Sequence, residues 1–185
     1  TAVVKLEQGF SGEGNATYDY AYGSDEQSIR AALPHHLHFQ AQAETYDSFA
    51  SRFAAMGGIV EEFVDGVSAS PSAQGYISPH GFVQALSTHD QLLGGGGQVF
   101  QGSMFPAADR YRSRVQAAML EVGEVLRRHG ARGRFAVDFV DAGDRLAAIE
   151  INLRKGGTTH PMMAMAVMTQ GRYEPQTGTF LAGTG

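Results

Sequence analysis

The sequence predicts an α+β fold in two small lobes built from antiparallel strands and a few helices. Three observations carry this expectation. Short apolar runs bounded by glycine recur at residues 2–6, 16–20, 59–64, 75–77 and 82–86, and again as a pair at 134–140 and 145–153. Two stretches instead show helical spacing, one through Phe49, Phe53 and Met56 and a longer one from Tyr111 to Leu126. The character of the chain also changes after Gly66, which places the lobe boundary between 1–66 and 67–185. A length of 185 residues suffices for one domain or two such lobes, and 43% hydrophobic content allows a buried core.

In chain order, residues 2–6 form a strand, Gly9 to Gly14 a glycine-rich loop, and 16–20 a second strand. Residues 24–33 suit a short helix stopped by Pro34, and the helix from Tyr46 ends at Gly57-Gly58. Ile59 to Val64 is a strand closed by Asp65-Gly66. Ser78-Pro79-His80-Gly81 makes a tight turn between two strands, with Pro second and Gly fourth. Gly94 to Gly97 is a flexible run. Pro106 opens the longest helix, whose stripe is Tyr111, Val115, Ala118, Met119, Val122 and Leu126, and Gly130 closes it. Residues 162–168 are an apolar run suited to a core helix.

Composition narrows the function. The net charge of -5 and the absence of a basic stripe argue against a nucleic-acid partner. With no cysteine there are neither disulfides nor thiolate metal sites, which suits a cytoplasmic setting. No apolar run reaches the length of a membrane span. Two lysines stand against twelve arginines, and both, Lys5 and Lys155, lie beside glycine-rich segments where a compact point charge is useful. His35, His36 and His38 suit a solvated strand more than a metal site.

The hairpin near the C-terminus is the most informative piece. Ile149, Ile151 and Leu153 alternate with Glu150, Asn152 and Arg154, so the polar three share one strand face. An amphipathic strand with a solvated side gives the same alternation. Asp138, mid-strand between Val137 and Phe139, argues for more, because beside Glu150 it is repelled unless a cation lies between them. Asp138, Glu150 and Asn152 make an all-oxygen set suited to Mg²⁺, with Mn²⁺ as an alternative. A two-residue hairpin loop sets Asp138 opposite Ala147 and away from Glu150; a three-residue loop sets it opposite Ala148 and on the shared face.

The loop after Lys5 is neither a Walker nor a dinucleotide fingerprint, but a glycine-rich loop between two strands can fold over phosphates. Taken in order, Val3-Val4-Lys5, Gly9 to Gly14, Ile59 to Val64, Val137-Asp138-Phe139 and Glu150 to Arg154 resemble the ATP-grasp superfamily over essentially the whole chain. Ser87 to Gln91 and Glu150 to Pro161 resemble, more narrowly, carboxylate–amine ligases of the pheganomycin peptide-ligase type. The Glu-x-Asn-x-Arg core is similar to that of biotin carboxylase.

The resemblance implies two lobes gripping ATP between antiparallel sheets, a lid lobe at 1–66 and a metal-binding catalytic lobe at 67–185, with a further domain of the same protein upstream of Thr1. It implies that Lys5 contacts the phosphates under a loop containing Gly9, Ser11, Gly12 and Gly14, and that Glu61, Glu62, Phe63 and Val64 line the adenine. Asp138, Glu150 and Asn152 would hold one or two Mg²⁺, and Arg154 would be the catalytic cation. His160 and Gln91 are candidates for substrate contact. Two positions depart from the family pattern: Ser68 stands where a ribose-binding acid is common, and Ala136 where an Arg often precedes the strand Asp. The implied activity is ATP-dependent joining of a small-molecule carboxylate to an amine through an acyl-phosphate. An ATP-binding module without turnover, and a phosphotransferase, are the alternatives.

Overall fold

A computed structural model of the chain describes residues 1–10, 13–94 and 99–183, and divides into two units, Thr1–Val64 with Gly94–Phe100, and Asp65–Leu93 with Gln101–Gly185. The first unit carries strands β1 (Ala2–Phe10), β2 (Glu13–Tyr18), β3 (Leu37–Phe39) and β4 (Gly58–Glu62) in the order β3-β2-β1-β4. Helices α1 (Glu26–His36) and α2 (Tyr46–Met56) complete it. Both helices start at side-chain caps: Asp25 accepts from the Ser28 amide at 3.0 Å, and Thr45 accepts from the Ser48 amide at 3.3 Å. Alternation along the sheet sends Leu6 and Ala16 into a core with Phe49, against which Val4, Phe39, Phe53 and Met56 pack. Val3, Lys5, Ile59 and Glu61 therefore occupy the opposite face.

The second unit is built on a five-stranded sheet ordered β7-β6-β5-β8-β9. Its strands are β5 (Pro71–Ile77), β6 (Val83–Gly94), β7 (Val99–Met104), β8 (Gly133–Asp141) and β9 (Leu146–Asn152). Helix α3 (Asp109–Arg128) covers one face, where Tyr111, Val115 and Met119 meet Ala73, Ile77, Phe135, Val137 and Phe139. The helix can lie this close because Gly75 and Gly123 lack side chains. A Cβ on Gly75 would overlap the Phe135 ring and the Met119 sulfur, and one on Gly123 would overlap Val83 and Phe135. Helix α4 (Thr159–Thr169) and the short hairpin β10 (Arg172–Glu174) and β11 (Thr179–Leu181) follow. No helix among the described residues is long and apolar enough to cross a membrane.

Several expectations are corrected. The first strand runs through Gly9 to Phe10 and the second starts at Glu13, so Gly9 and Gly14 are strand residues; Ser11 and Gly12 lie outside the described residues. So do Gly95 to Gly97 of the predicted flexible run. Pro34 does not stop α1, because it sits in the last turn and the helix runs on to His36. His35 and His36 are thus helical, and the His36 ring stacks on Tyr22 at 3.9 Å. β4 ends at Glu62, leaving Phe63 and Val64 beyond it. α3 begins at Asp109 rather than Pro106. The Ala107 and Ala108 amides are held first by Thr88 Oγ1 (3.4 Å) and the Asp90 carboxylate (3.1 Å) of β6. α4 is not core: Met162 is buried, but Val167 is 77% and Met168 84% exposed.

Candidate active site

The second unit's sheet face opposite α3 gathers the polar residues. Pairing is regular between β5 and β8, where Ser72 opposes Asp138 and Gln74 opposes Ala136. Across β6 the same rows continue to His89 and Ser87. On the other side, Asp138 stands directly opposite Glu150, and Ala136 opposite Asn152. One row therefore reads His89, Ser72, Asp138, Glu150, and the next Ser87, Gln74, Ala136, Asn152.

The shared face of Asp138 and Glu150 does not come from either expected hairpin loop. Asp141 pairs with Leu146, so four residues, 142–145, connect the strands, and a regular ladder would set Asp138 opposite Ile149. The register shifts by one between Asp138 and Phe139, with Ile149 as the inserted residue of a β-bulge, and this returns Glu150 to face Asp138. β9 is the edge strand, which leaves Ile151 49% exposed, and Leu153, just past its end, is 61% exposed.

Electrostatics single out Asp138. Burial is the largest cause pushing its carboxyl up to about 6 from 3.8, and repulsion from Glu150 adds to the rise. Hydrogen bonds from Ser72 and Asn152 and the Arg154 guanidinium pull the other way. Asn152 Nδ2 donates to Asp138 Oδ2 at 3.1 Å, which leaves the Asn152 carbonyl oxygen as a further hard donor. Two carboxylates kept together at this cost, with a carboxamide beside them, fit a hard divalent cation. Among the described residues no three His, Asp or Glu converge, so a cation here would rest on Asp138 and Glu150 with Asn152.

A buried relay fixes the segment that follows β9. The Gly156 amide donates to Thr159 Oγ1 (3.1 Å), Thr159 Oγ1 donates to Gln74 Oε1 (2.9 Å), and Gln74 Nε2 donates to Ser87 Oγ (3.0 Å). Gln74, Ser87 and Thr159 are each 2% exposed, so the loop carrying Arg154 and Lys155 is tied to the sheet through groups shielded from water. Arg154 itself is exposed and donates to the Lys155 carbonyl at 3.3 Å. His160 is exposed in the first turn of α4. Gln91 lies on β6 two residues beyond His89, on the site's face, and its amide donates to Ser70 O at 3.0 Å. His89 is fully buried, with its ring 5.1 Å from Phe105, and neither ring nitrogen is hydrogen-bonded among the described residues. Burial holds its imidazole neutral, with the pKa down at about 3.

In the first unit, Lys5 Nζ pairs with Glu61 at 2.5 Å on the face away from the helices. β4 is the edge strand of that sheet, so its backbone offers donors and acceptors along one side. The Phe63 amide donates to Thr1 O at 3.1 Å. Ser68 donates to the Asp141 carbonyl (3.2 Å) and carboxylate (3.3 Å) and accepts from Arg110.

Ser72, Gln74, Thr159 and Arg134 escaped the sequence reading. Pro71-Ser72-Ala73-Gln74 has the look of a loop, yet it is the start of the central strand, buried on both faces. The one available signal was the polar pair at two-residue spacing, Ser72 and Gln74.

Comparison with known proteins agrees with this architecture. The IQCH-like ATP-grasp family profile matches residues 15–173, and the chain belongs to that family. It is similar to the L-propargylglycine–L-glutamate ligase of Streptantibioticus cattleyicolor, 46% identical over 115 residues, 62% of this chain and 23% of the ligase. Its fold resembles Staphylococcus aureus N5-carboxyaminoimidazole synthetase solved with ADP (TM-score 0.59, 15% identity, 98% of this chain and 42% of that one). It also resembles Campylobacter jejuni biotin carboxylase in complex with β-γ-ATP (TM-score 0.62, 15% identity, 89% and 33%). The chain thus spans less than half the length of each.

Proposed function

We propose that the protein is an ATP-dependent carboxylate–amine ligase that activates its carboxylate as an acyl-phosphate. The observation that carries this reading is the direct opposition of Asp138 and Glu150 produced by the bulge at Ile149, with Asn152 continuing the same face and the Arg154 guanidinium, just beyond β9, close enough to act on the Asp138 carboxyl. Two carboxylates directly opposite each other, Asp138 part-buried and Glu150 on the exposed edge strand, repel without a cation, and membership of the ATP-grasp family suits such a cation to a nucleotide site. The ligase similarity in Streptantibioticus cattleyicolor supports amide formation as the outcome.

In this reading Asp138, Glu150 and Asn152 would hold a Mg²⁺ or Mn²⁺, which would supply charge neutralisation to the phosphates. Lys5 serves as a point charge on the phosphates, exchanging its Glu61 partner for them, and the β4 edge with Glu61 to Val64 serves the adenine. A substrate carboxylate oxygen attacks the γ-phosphorus and ADP leaves. The amine then attacks the acyl carbon, the C–O bond to phosphate breaks, and the amine gives up a proton. Arg154, anchored by the Gly156–Thr159–Gln74–Ser87 relay, stabilises the oxyanion that develops at that carbon. Positioning and preorganised charge do most of this work.

Calorimetric titration of the intact protein with Mg-ATP, followed by ADP release across a panel of amino acids, tests the proposal. Substrate-dependent ADP release with an amide product supports it. Binding without release indicates a nucleotide-binding module, and a phosphorylated acceptor indicates a phosphotransferase; either result sinks the ligase reading.

A further inference from the structure

We propose that Arg134 holds a second carboxylate, the α-carboxylate of an amino-acid amine donor; this assignment rests on the ligase reading above. The β5–β8 ladder is unbroken from Ile77 opposite Gly133 to Ser72 opposite Asp138, so Arg134, Ala136 and Asp138 share one face. Phe135, Val137 and Phe139 point the other way, into the α3 core. Arg134 is thus on the metal-candidate face, at the end of β8 nearer Arg154 than Asp141. Its Nη1 is buried and has no hydrogen-bond partner among the described residues. A guanidinium cannot escape that cost by losing its proton, so the Nη1 group is a charged donor left unmatched in the part-buried side chain.

Only His89, Ser103 and Arg134 keep such orphaned buried side-chain atoms among the described residues. His89 is neutral and enclosed and Ser103 offers only an uncharged hydroxyl, which leaves Arg134 as the one cation among them. The chemistry requires one. Joining a carboxylate to an amino acid brings two carboxylates to the site; one must meet the phosphate and the other must be held back from it. Arg134 lies four residues along the strand from Asp138, about 13 Å between Cα atoms, with only Ala136 between them on that face. That span sets a carboxylate-binding fork apart from the activated group while leaving the donor's amine within its reach. The planar guanidinium matches a carboxylate with two parallel hydrogen bonds, whereas Arg154 already donates to the Lys155 carbonyl and its charge acts on Asp138.

The test measures kcat/KM with Mg-ATP for the twenty L-amino acids and for their α-carboxamides as amine donors. The wild-type protein is expected to prefer the free acid of its donor over the carboxamide by about 10- to 100-fold, the range for hydrogen bonds to a charged group. Arg134→Met should lose most of that preference through KM for the amine rather than KM for ATP, and Arg134→Lys should keep part of it. Retention of the preference in Arg134→Met, or an equal rise in KM for ATP and amine, overturns this assignment alone. If Arg134→Met does not fold, the same ratio in Arg134→Lys decides: an undiminished preference overturns the assignment. Absence of any amide product from the wild-type protein overturns the ligase reading and this assignment with it.

Discussion

Replacing Asp138 by Asn should make the metal-free protein more stable at neutral pH while removing its response to Mg-ATP. The carboxyl has its pKa raised from 3.8 to about 6, chiefly by burial and then by Glu150. A carboxyl whose pKa is raised on folding binds its proton more tightly in the folded state. Its favourable contribution is therefore complete below 3.8 and is lost as pH rises through about 6. At about 1.4 kcal/mol per pKa unit the full gap corresponds to roughly 3 kcal/mol, and discounting for partial exposure leaves about 1–3 kcal/mol. The carboxamide introduced by Asp138→Asn carries no charge to desolvate, and its carbonyl can still accept from Asn152. For a protein of this size the gain is roughly 2–12 °C in Tm at pH 8 without metal, fading to nothing toward pH 4. Scanning calorimetry at both pH values, with and without Mg-ATP, reads the effect. A variant less stable than wild type at pH 8 without metal, or one still stabilised by Mg-ATP as wild type is, refutes the reasoning.

Arg154→Met should lower kcat about 10²- to 10³-fold while leaving the affinity for Mg-ATP largely intact, as stopped-flow kinetics beside a nucleotide titration would show. Tyr111→Phe removes a 2.5 Å hydrogen bond to Asp90, the carboxylate that also holds the Ala108 amide ahead of α3. It should cost about 1.5–3 kcal/mol in urea denaturation. In the wild-type protein the Tyr111 phenol, whose pKa burial and Asp90 push up to about 12, should stay protonated to strongly alkaline pH in ultraviolet titration. Gly75→Ala places a methyl against Phe135 and Met119 where β5 meets α3, and should destabilise the protein by about 1–3 kcal/mol in the same assay.

Where the physics is local, the sequence was legible. The stripe from Tyr111 to Met119 marks the buried face of α3, and Gly57 ends α2 where the pattern stops. Ser78 to Gly81 closes its turn with the expected bond, the Gly81 amide donating to Ser78 O at 2.9 Å. What escaped was set by partners distant in sequence. β5 reads as a loop because Pro71, Ser72 and Ala73 have little strand propensity, and it becomes a strand because β6 and β8 flank it. Pro106 looked like a helix start, but the side chains of Thr88 and Asp90 take the next two amides. The hairpin shows the limit most clearly. Loop length alone would have turned Asp138 away from Glu150, and nothing in Ala147-Ala148-Ile149 announces the bulge that brings them together. The residues of the candidate metal set could be named from alternation and an out-of-place Asp; the way the strand aligns them could not.

Transfer of label from a carboxylate bearing ¹⁸O in both oxygens reports on the acyl-phosphate itself. The attacking oxygen bridges carbon and phosphorus in an acyl-phosphate, and it departs with phosphate when the amine displaces it. One ¹⁸O is expected in inorganic phosphate for each amide formed, read by mass spectrometry, with loss of that transfer in Asp138→Asn. Amide formation with unlabelled phosphate would contradict an acyl-phosphate intermediate.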